Sequence, residues 1–334
     1  MGAPPYDLSH LKNTDMKRRT FIRDAAGAIS LLTLFPAGLS GIAREQTPGM
    51  LEKRSLGRTG LKLSIIGFGG IVVRDATPRQ ASVRVKEAID RGINFFDVAP
   101  SYGDAEIKLG PALKPYRKDI ILACKTRKRD KKNARIELEQ SLKNLQTDYF
   151  DLYQFHVVRT IEDVEQIFAP GGAMETVLEA KKEGKIRYIG FSAHSVEAAM
   201  LLMDQFDFDT IMFPVSASSW HAGNFGPQVL QRAHEKQMGI LALKAMVRGP
   251  WPEGTTERLP KAWYEPMTDP EEARTGLRFA LSHPITLALP PGNEDLFKMA
   301  LNIIHEFEPL DTHEIEKIKR DASQQNPLFR YEEA

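Results

Sequence analysis

Residues Gly92 to Glu106 read GINFFDVAPSYGDAE. The run INFF from Ile93 has the composition of a buried strand, yet it ends on a carboxylate, Asp97, and a tyrosine, Tyr102, follows in a Pro-Ser-Tyr-Gly loop. Burying a charge is costly unless it meets a partner of opposite sign. Asp97 therefore implies a cation supplied by another part of the chain.

Runs of the same kind recur on both sides of this stretch. From Leu51 onward they are SIIGFGG from Ser64, INFFDVA from Ile93, DIILACK from Asp119, YFDLYQFH from Tyr149, IRYIGFS from Ile186, DTIMFP from Asp209, GILALK from Gly239 and ITLALP from Ile285. Helix signals separate them: Ala81, Val85, Ala88 and Ile89 share one helical face, as do Leu138, Leu142 and Leu145. Eight strand and helix units within residues 44–334 are the arithmetic of a single α/β domain of the (β/α)8 TIM-barrel class. A doubly wound sheet is the rival, but GFGGIV from Gly67 lacks the third glycine of the dinucleotide fingerprint, and no phosphate-binding Walker loop occurs. The barrel also gives Asp97 a location, because active sites in this fold gather at the C-terminal ends of the strands.

The chain has 334 residues, 42% of them hydrophobic and 27% charged, with no compositional sign of disorder. Its 45 basic and 44 acidic residues leave a formal charge of +1, which recommends no nucleic-acid partner. A single cysteine, Cys124, excludes an internal disulfide and any cysteine-rich metal site. The His-Glu pairs at His234, His305 and His313 have no histidine four residues on, so no metal is expected.

Residues 1–43 form a separate leader. KRRTFIR from Lys17 resembles the twin-arginine (Tat) export signal through Arg18, Arg19, Phe21 and Arg23, and the moderately apolar AAGAISLLTLFPAGLSGIA that follows ends on small residues near Ala43. The stretch is too interrupted for a stable membrane span. The expectation is a signal segment recognised by the Tat machinery and a periplasmic or exported mature protein, cytoplasmic if the leader is not functional.

The third and fourth runs end on Lys125 and His156. In a barrel, Asp97, Tyr102, Lys125 and His156 project from the rim of three consecutive strands, and Lys125 is the cation that Asp97 requires. A lysine ammonium stabilises a neighbouring phenolate, which brings a tyrosine with an ordinary pKa of about 10 toward use as a general acid. Asp97 would hold Lys125 charged, and His156 would donate to a substrate oxygen. Such a set suits proton delivery to a carbonyl oxygen whose carbon receives a hydride.

At these residues the chain resembles the aldo-keto reductase family, from Arg54 to about Asn302. RSLGRTGLKLSIIGFGG is similar to the family's opening hairpin and first strand, GINFFDVAPSYGDAEIKLG to its aspartate and tyrosine signature, EGKIRYIGFS to its fifth strand, and LRFALSHPITLALPPG to the helix and strand before the cofactor phosphate site. The resemblance implies that Asp97, Tyr102, Lys125 and His156 are the catalytic set, and that a nicotinamide cofactor supplies the hydride. It implies cofactor contacts from Gly70, Ser192, His194, Leu243, Lys244, Pro291, Gly292, Asn293 and Lys298. Several of these depart from the family pattern. Ala193 and His194 follow Ser192 where an asparagine is usual, the sixth-strand glutamine is replaced around Thr210 to Met212, and the seventh-strand tyrosine is Leu243, followed by Lys244. After Pro291 the acidic Glu294 and Asp295 would repel a 2′-phosphate, with Lys298 the near cation and Arg278 a more distant one. The expectation is NADP(H), with NAD(H) open, and a small carbonyl or alcohol substrate. The pocket would be lined by APGGAM from Ala169, the loop from Arg248, and Trp220, Trp251 or Trp263. The alternative is a nucleotide-binding barrel that acts as a redox sensor or interaction module with little turnover.

Overall fold

A computed structural model describes residues 50–332; the leader lies outside the described residues. An antiparallel hairpin comes first, β1 (Lys53–Ser55) and β2 (Lys62–Ser64), followed by β3 (Phe68–Gly69), α1 (Pro78–Asp90), β4 (Phe95–Asp97), α2 (Ala105–Leu113), β5 (Ile121–Thr126), α3 (Lys131–Leu145) and β6 (Phe150–Val158). Then come α4 (Ile161–Phe168), α5 (Ala173–Lys182), β7 (Ile186–Ala193), α6 (Val196–Gln205), β8 (Thr210–Pro214), α7 (Ala217–His221), α8 (Pro227–Glu235) and β9 (Gly239–Leu243). A second hairpin, β10 (Val247–Gly249) and β11 (Glu265–Pro266), precedes α9 (Pro270–Leu281), β12 (Leu287–Leu289), α10 (Glu294–Ile304) and α11 (Thr312–Ala322).

Strands β3 to β9 and β12 form one parallel sheet of eight, each beside its neighbour in that sequence. The ring is joined between its ends by a parallel bridge from Ile66 to Ala288, where Gly67 N–H donates to Ala288 O at 3.1 Å and Ala288 N–H to Ile65 O at 2.9 Å. The chain is a (β/α)8 TIM barrel. Its glycine-rich GFGG segment serves this seam: a Cβ on Gly67 would press on Leu289 and Phe95 inside the barrel, and one on Gly70 on Val98 and the Asp97 carbonyl. These glycines permit close strand approach, and no phosphate loop is built from them.

Most of the helices combine an apolar stripe with a side-chain N-cap. Thr77 and Gln80 make a capping box on α1, whose Ala81, Val85 and Ala88 are buried; Asp130 caps α3, which buries Leu138, Leu142 and Leu145. Two apolar layers result. Inside the strands lie Leu56, Leu63, Phe95, Ala123, Leu152, Met212, Leu241 and Leu287, so the first hairpin plugs the barrel floor with two leucines. Each such side chain contributes about 1.5–3 kcal/mol when fully buried. The floor is therefore apolar and closed, and polar chemistry is confined to the opposite, C-terminal rim. Among the described residues no helix is long and apolar enough to cross a membrane.

Candidate active site

The three strands that supply the polar cluster are locked in register. Asp97 on β4 pairs with Ala123 on β5, and Lys125, two residues further along β5, pairs with Gln154 on β6, two residues before His156. Side chains two apart on a strand share a face. Asp97, Lys125 and His156 thus climb one step per strand along the inner wall, and the stagger of barrel strands carries them to a common point. Tyr102 reaches the same point from the loop after β4. Lys125 Nζ donates to Asp97 Oδ2 at 2.5 Å, to Tyr102 Oη at 3.3 Å and to Val98 O at 3.4 Å. The Tyr102 and His156 rings meet edge to face, 5.6 Å apart at 81°. Ser101 Oγ lies 3.4 Å from His156 Nδ1.

The electrostatics follow from burial. Lys125 is fully buried and Asp97 is 2% exposed. Burial opposes the lysine's charge, but Asp97 and Tyr102 outweigh it and raise its pKa, so the ammonium persists. Burial pushes the Asp97 carboxyl above the ordinary range against the pull of Lys125. For Tyr102 the net direction is also upward. Burial exceeds the lowering by Lys125, and Asp97 adds to the rise, so the lysine limits the tyrosine's pKa without bringing it below the ordinary value. His156 is held neutral well below its usual range, first by burial and then by Lys125, Arg127, His194 and Arg129. A neutral imidazole keeps one N–H and can donate.

Just beyond His156 the strand breaks its pattern. Val157 has φ 54°, in the left-handed region that a β-branched residue rarely adopts, and the β6 to β7 pairing shifts between Phe155 and Val158. The Val157 N–H donates to Ser192 Oγ at 2.8 Å, and Arg129 donates to His156 O at 3.0 Å. Ser192 therefore braces the irregularity that sets the His156 backbone.

A model of the aldo/keto reductase family matches residues 65–263. The chain belongs to the aldo/keto reductase family. Aldo-keto reductase YhdN of Bacillus subtilis is 38% identical over 166 residues, 44% of this chain and 48% of that protein. L-galactose dehydrogenase of Arabidopsis thaliana is 30% identical over 232 residues, 64% of this chain and 70% of that protein. The chain thus spans about half the length of the Bacillus relative and more of the plant one. Among solved structures, the holo form of aldo-keto reductase AKR11C1 from Bacillus halodurans superimposes with a TM-score of 0.66 at 25% identity, covering 85% of this chain and 99% of that one. An aldo-keto reductase from Klebsiella pneumoniae in complex with NADPH shares the fold, with a TM-score of 0.65 at 21% identity, covering 85% and 100%.

In this member of the family the residues proposed for cofactor contact fall in different settings. His194 immediately follows β7, and its Nε2 is buried without a partner. Leu243 packs on the inner apolar layer, and Lys244 just after it has φ 67°, with its Nζ 4.7 Å from the Tyr264 ring centre and 5.1 Å from that of Trp263. Gly70 lies beneath the Asp97 carbonyl. Pro291 and Gly292 follow β12, with Gly292 against Ile71. Asn293 caps α10 by accepting from Asp295 and Leu296 N–H. Lys298 is paired with Glu294 at 2.9 Å, and Glu294 also contacts Arg84. Arg278 is bound to Glu314 at 2.5 Å and to the carbonyls of Glu308 and Pro309, so it braces α9 against α11. Trp220 packs α7 against Phe279 and His283 at the end of α9, and Trp251 donates to Ala262 O at 3.2 Å within the loop between β10 and β11.

Sequence reasoning passed over three contributors. Gln154 is fully buried with neither amide atom bonded, and Ser216 after β8 has an unpartnered Oγ. A glutamine two residues before His156 in an otherwise apolar run was the available signal. Phe329, in the C-terminal segment, lies 5.3 Å from the His194 ring and stacks on Phe225 at 5.0 Å, while Tyr331 N–H donates to Gly223 O at 2.7 Å. Nothing local in the sequence announces that the chain end returns to the rim.

Proposed function

We propose that the chain is an NAD(P)H-dependent oxidoreductase that reduces an aldehyde or ketone, or oxidises the corresponding alcohol, with Tyr102 as the general acid. The observation that carries this reading is the buried contact series Asp97, Lys125, Tyr102, with a neutral His156 at the tyrosine's edge. Lys125 holds its proton, orients Tyr102 Oη and disperses charge as the phenolic proton leaves. Asp97 keeps Lys125 in that place. His156 donates to the substrate oxygen, so the carbonyl lies between His156 and Tyr102, and its oxygen takes the tyrosine's proton. A bound nicotinamide nucleotide supplies the hydride. The rim suits the nicotinamide carboxamide because His194 Nε2 and Ser216 Oγ are buried polar atoms without partners, which a ligand amide satisfies. Ser192, Leu243 and Lys244 would flank it, and Pro291, Gly292, Asn293 and Lys298 would lie toward the adenosine end.

NADP(H) is favoured by membership of the family, with NAD(H) open, because Lys298 already has an acidic partner. The preference for NADPH over NADH is expected to stay below about a hundredfold, or roughly 2.7 kcal/mol, and fluorescence titration with both nucleotides measures it. The decisive test of the chemistry is Tyr102→Phe, assayed on a carbonyl panel with both cofactors. Turnover should fall by at least about a hundredfold while nucleotide binding stays near the wild-type level. Retention of turnover would show that the proton comes from elsewhere.

The leader, residues 1–43, is proposed as a Tat signal that exports the folded barrel, residues 44–334, to the periplasm. The support is the KRRTFIR motif and the apolar stretch after it. Cells carrying Arg18 and Arg19, or lysine at both, should differ in where the protein fractionates.

A further inference from the structure

The first residues beyond β5, β6, β7 and β9 are Arg127, Arg159, His194 and Lys244. Three of the four are permanent or usual cations, and among the described residues the side chain of none of these three forms a salt bridge or hydrogen bond, while the backbone N–H of Arg127 donates to Glu137 Oε2 at 3.2 Å and that of Arg159 to Asp163 Oδ2 at 3.0 Å. Arg129, in the same loop as Arg127, behaves otherwise: it is tied to Asp163 at 2.9 Å and to the His156 carbonyl. Asp97, the carboxylate of the catalytic cluster, is already held by Lys125. Burial holds both imidazoles neutral, and the fields of Lys125 and Arg127 at His156 and of Lys244 and Arg159 at His194 act in the same direction. Lys244 is half-buried, bears on Trp263 and Tyr264, and has its pKa brought down by burial to about 8, with no carboxylate to restore it. Guanidinium and ammonium groups whose own polar heads make no hydrogen bond or ion pair are free to receive an anion at the mouth.

We infer that the carbonyl substrate carries an anionic group, a carboxylate or a phosphate, received by Arg127 and Arg159 at the mouth, with Lys244 completing the cationic rim. The inference rests on the carbonyl-reductase reading and narrows its substrate class. With the carbonyl oxygen between Tyr102 and His156, the anion lies outward, over the ends of β5 and β6. The arginines are exposed, so they steer and orient the substrate, and their effect weakens as salt shortens the Debye length.

The test compares benzaldehyde with 4-carboxybenzaldehyde and its methyl ester, and glyceraldehyde with its 3-phosphate, in the full-length mature protein with NADPH and NADH. The charged member of at least one pair should have a kcat/KM about tenfold or more above its neutral counterpart at low ionic strength, expressed mainly in KM and shrinking in 0.5 M salt. The pair that shows it separates carboxylate from phosphate recognition. Arg127→Gln with Arg159→Gln should collapse that ratio. Equal rates for charged and neutral members, or a ratio that survives the double substitution, would overturn the inference while leaving the reductase reading intact. Lys244→Met should lower the ratio too; weakened nucleotide binding with an unchanged ratio would assign Lys244 to the cofactor and remove it from the proposal. If no carbonyl is turned over, the reductase reading fails. Quenching of tryptophan fluorescence by 4-carboxybenzoate against benzamide then decides the anion site directly. Binding of the acid that the double variant loses supports the site, and equal binding of the amide sinks it.

Discussion

Lys125 and Lys298 are both lysines with a carboxylate partner, one in the buried cluster on β5 and the other on α10. Lys125 is fully buried, and its partner Asp97 comes from another strand. Lys298 has a side chain that is 43% exposed, and its partner Glu294 lies one turn away on the same helix. The first pair exists because the barrel brings two strand ends together in a place without water, where neither charge is tolerable alone. The second needs only a helix and solvent, and a surface pair of this kind is worth about 0.3–0.5 kcal/mol. The comparison teaches that the geometry of the buried cluster is enforced by the tertiary fold, whereas the charges on α10 are free to exchange partners.

The sharpest way to break the comparison is Lys125→Met. Turnover should drop by about a hundredfold or more, since general acid catalysis contributes on the order of 10²–10⁴. Any residual kcat/KM should lose its alkaline limb at higher pH than wild type, because burial then raises the Tyr102 pKa unopposed; an unmoved profile would remove the lysine from the proton's path. Asp97→Asn comes next. It leaves Lys125 buried without a carboxylate, and a loss of about 3–5 kcal/mol is expected in denaturant unfolding.

A milder effect concerns His194. Its folded pKa is lowered to about 3, chiefly by burial and then by Lys244 and Arg159, from an ordinary 6.5. Between those values the unfolded chain binds the extra proton, so stability is fully present above about 6.5 and is lost as pH falls toward 3. Thermal melts across that window should show the slope, and His194→Asn should flatten it. Smallest of all is Lys298→Ala, which should change the ratio of NADPH to NADH affinity by less than about threefold. A larger fall would mean that Lys298 abandons Glu294 for the nucleotide.

Local pattern was enough to place Asp97 at the end of its strand and Lys125 and His156 one and two residues short of theirs, because each closes an apolar run whose inward face repeats every second residue. The same pattern could not report that β6 continues to Val158 through a left-handed Val157, nor that Ser192 braces it, since that irregularity depends on the pairing with β7. Arg278 shows the opposite failure. As a basic residue in the helix before the phosphate segment it was a reasonable cofactor contact, and only packing shows it committed to Glu314. The net pKa of Tyr102 was likewise out of reach, because it is a difference between burial and the field of Lys125, and burial is a property of the assembled loop.

What the chain alone determined was the order of eight strand and helix units, the polar residue at or near the end of each of three strands, and the family to which those motifs belong. These are encoded in composition and period over a few residues. Tertiary structure decided which charges meet: Lys125 with Asp97 across 28 positions, Arg129 with Asp163 across 34, and Phe329 over His194 from the far end of the chain. Among the described residues the side chains of Arg127, Arg159 and Lys244 were left at the rim with no ion-pair partner, Lys244 resting on the Trp263 and Tyr264 rings. Coulomb energies depend on distance and on exclusion of water, and both are set only when the barrel closes.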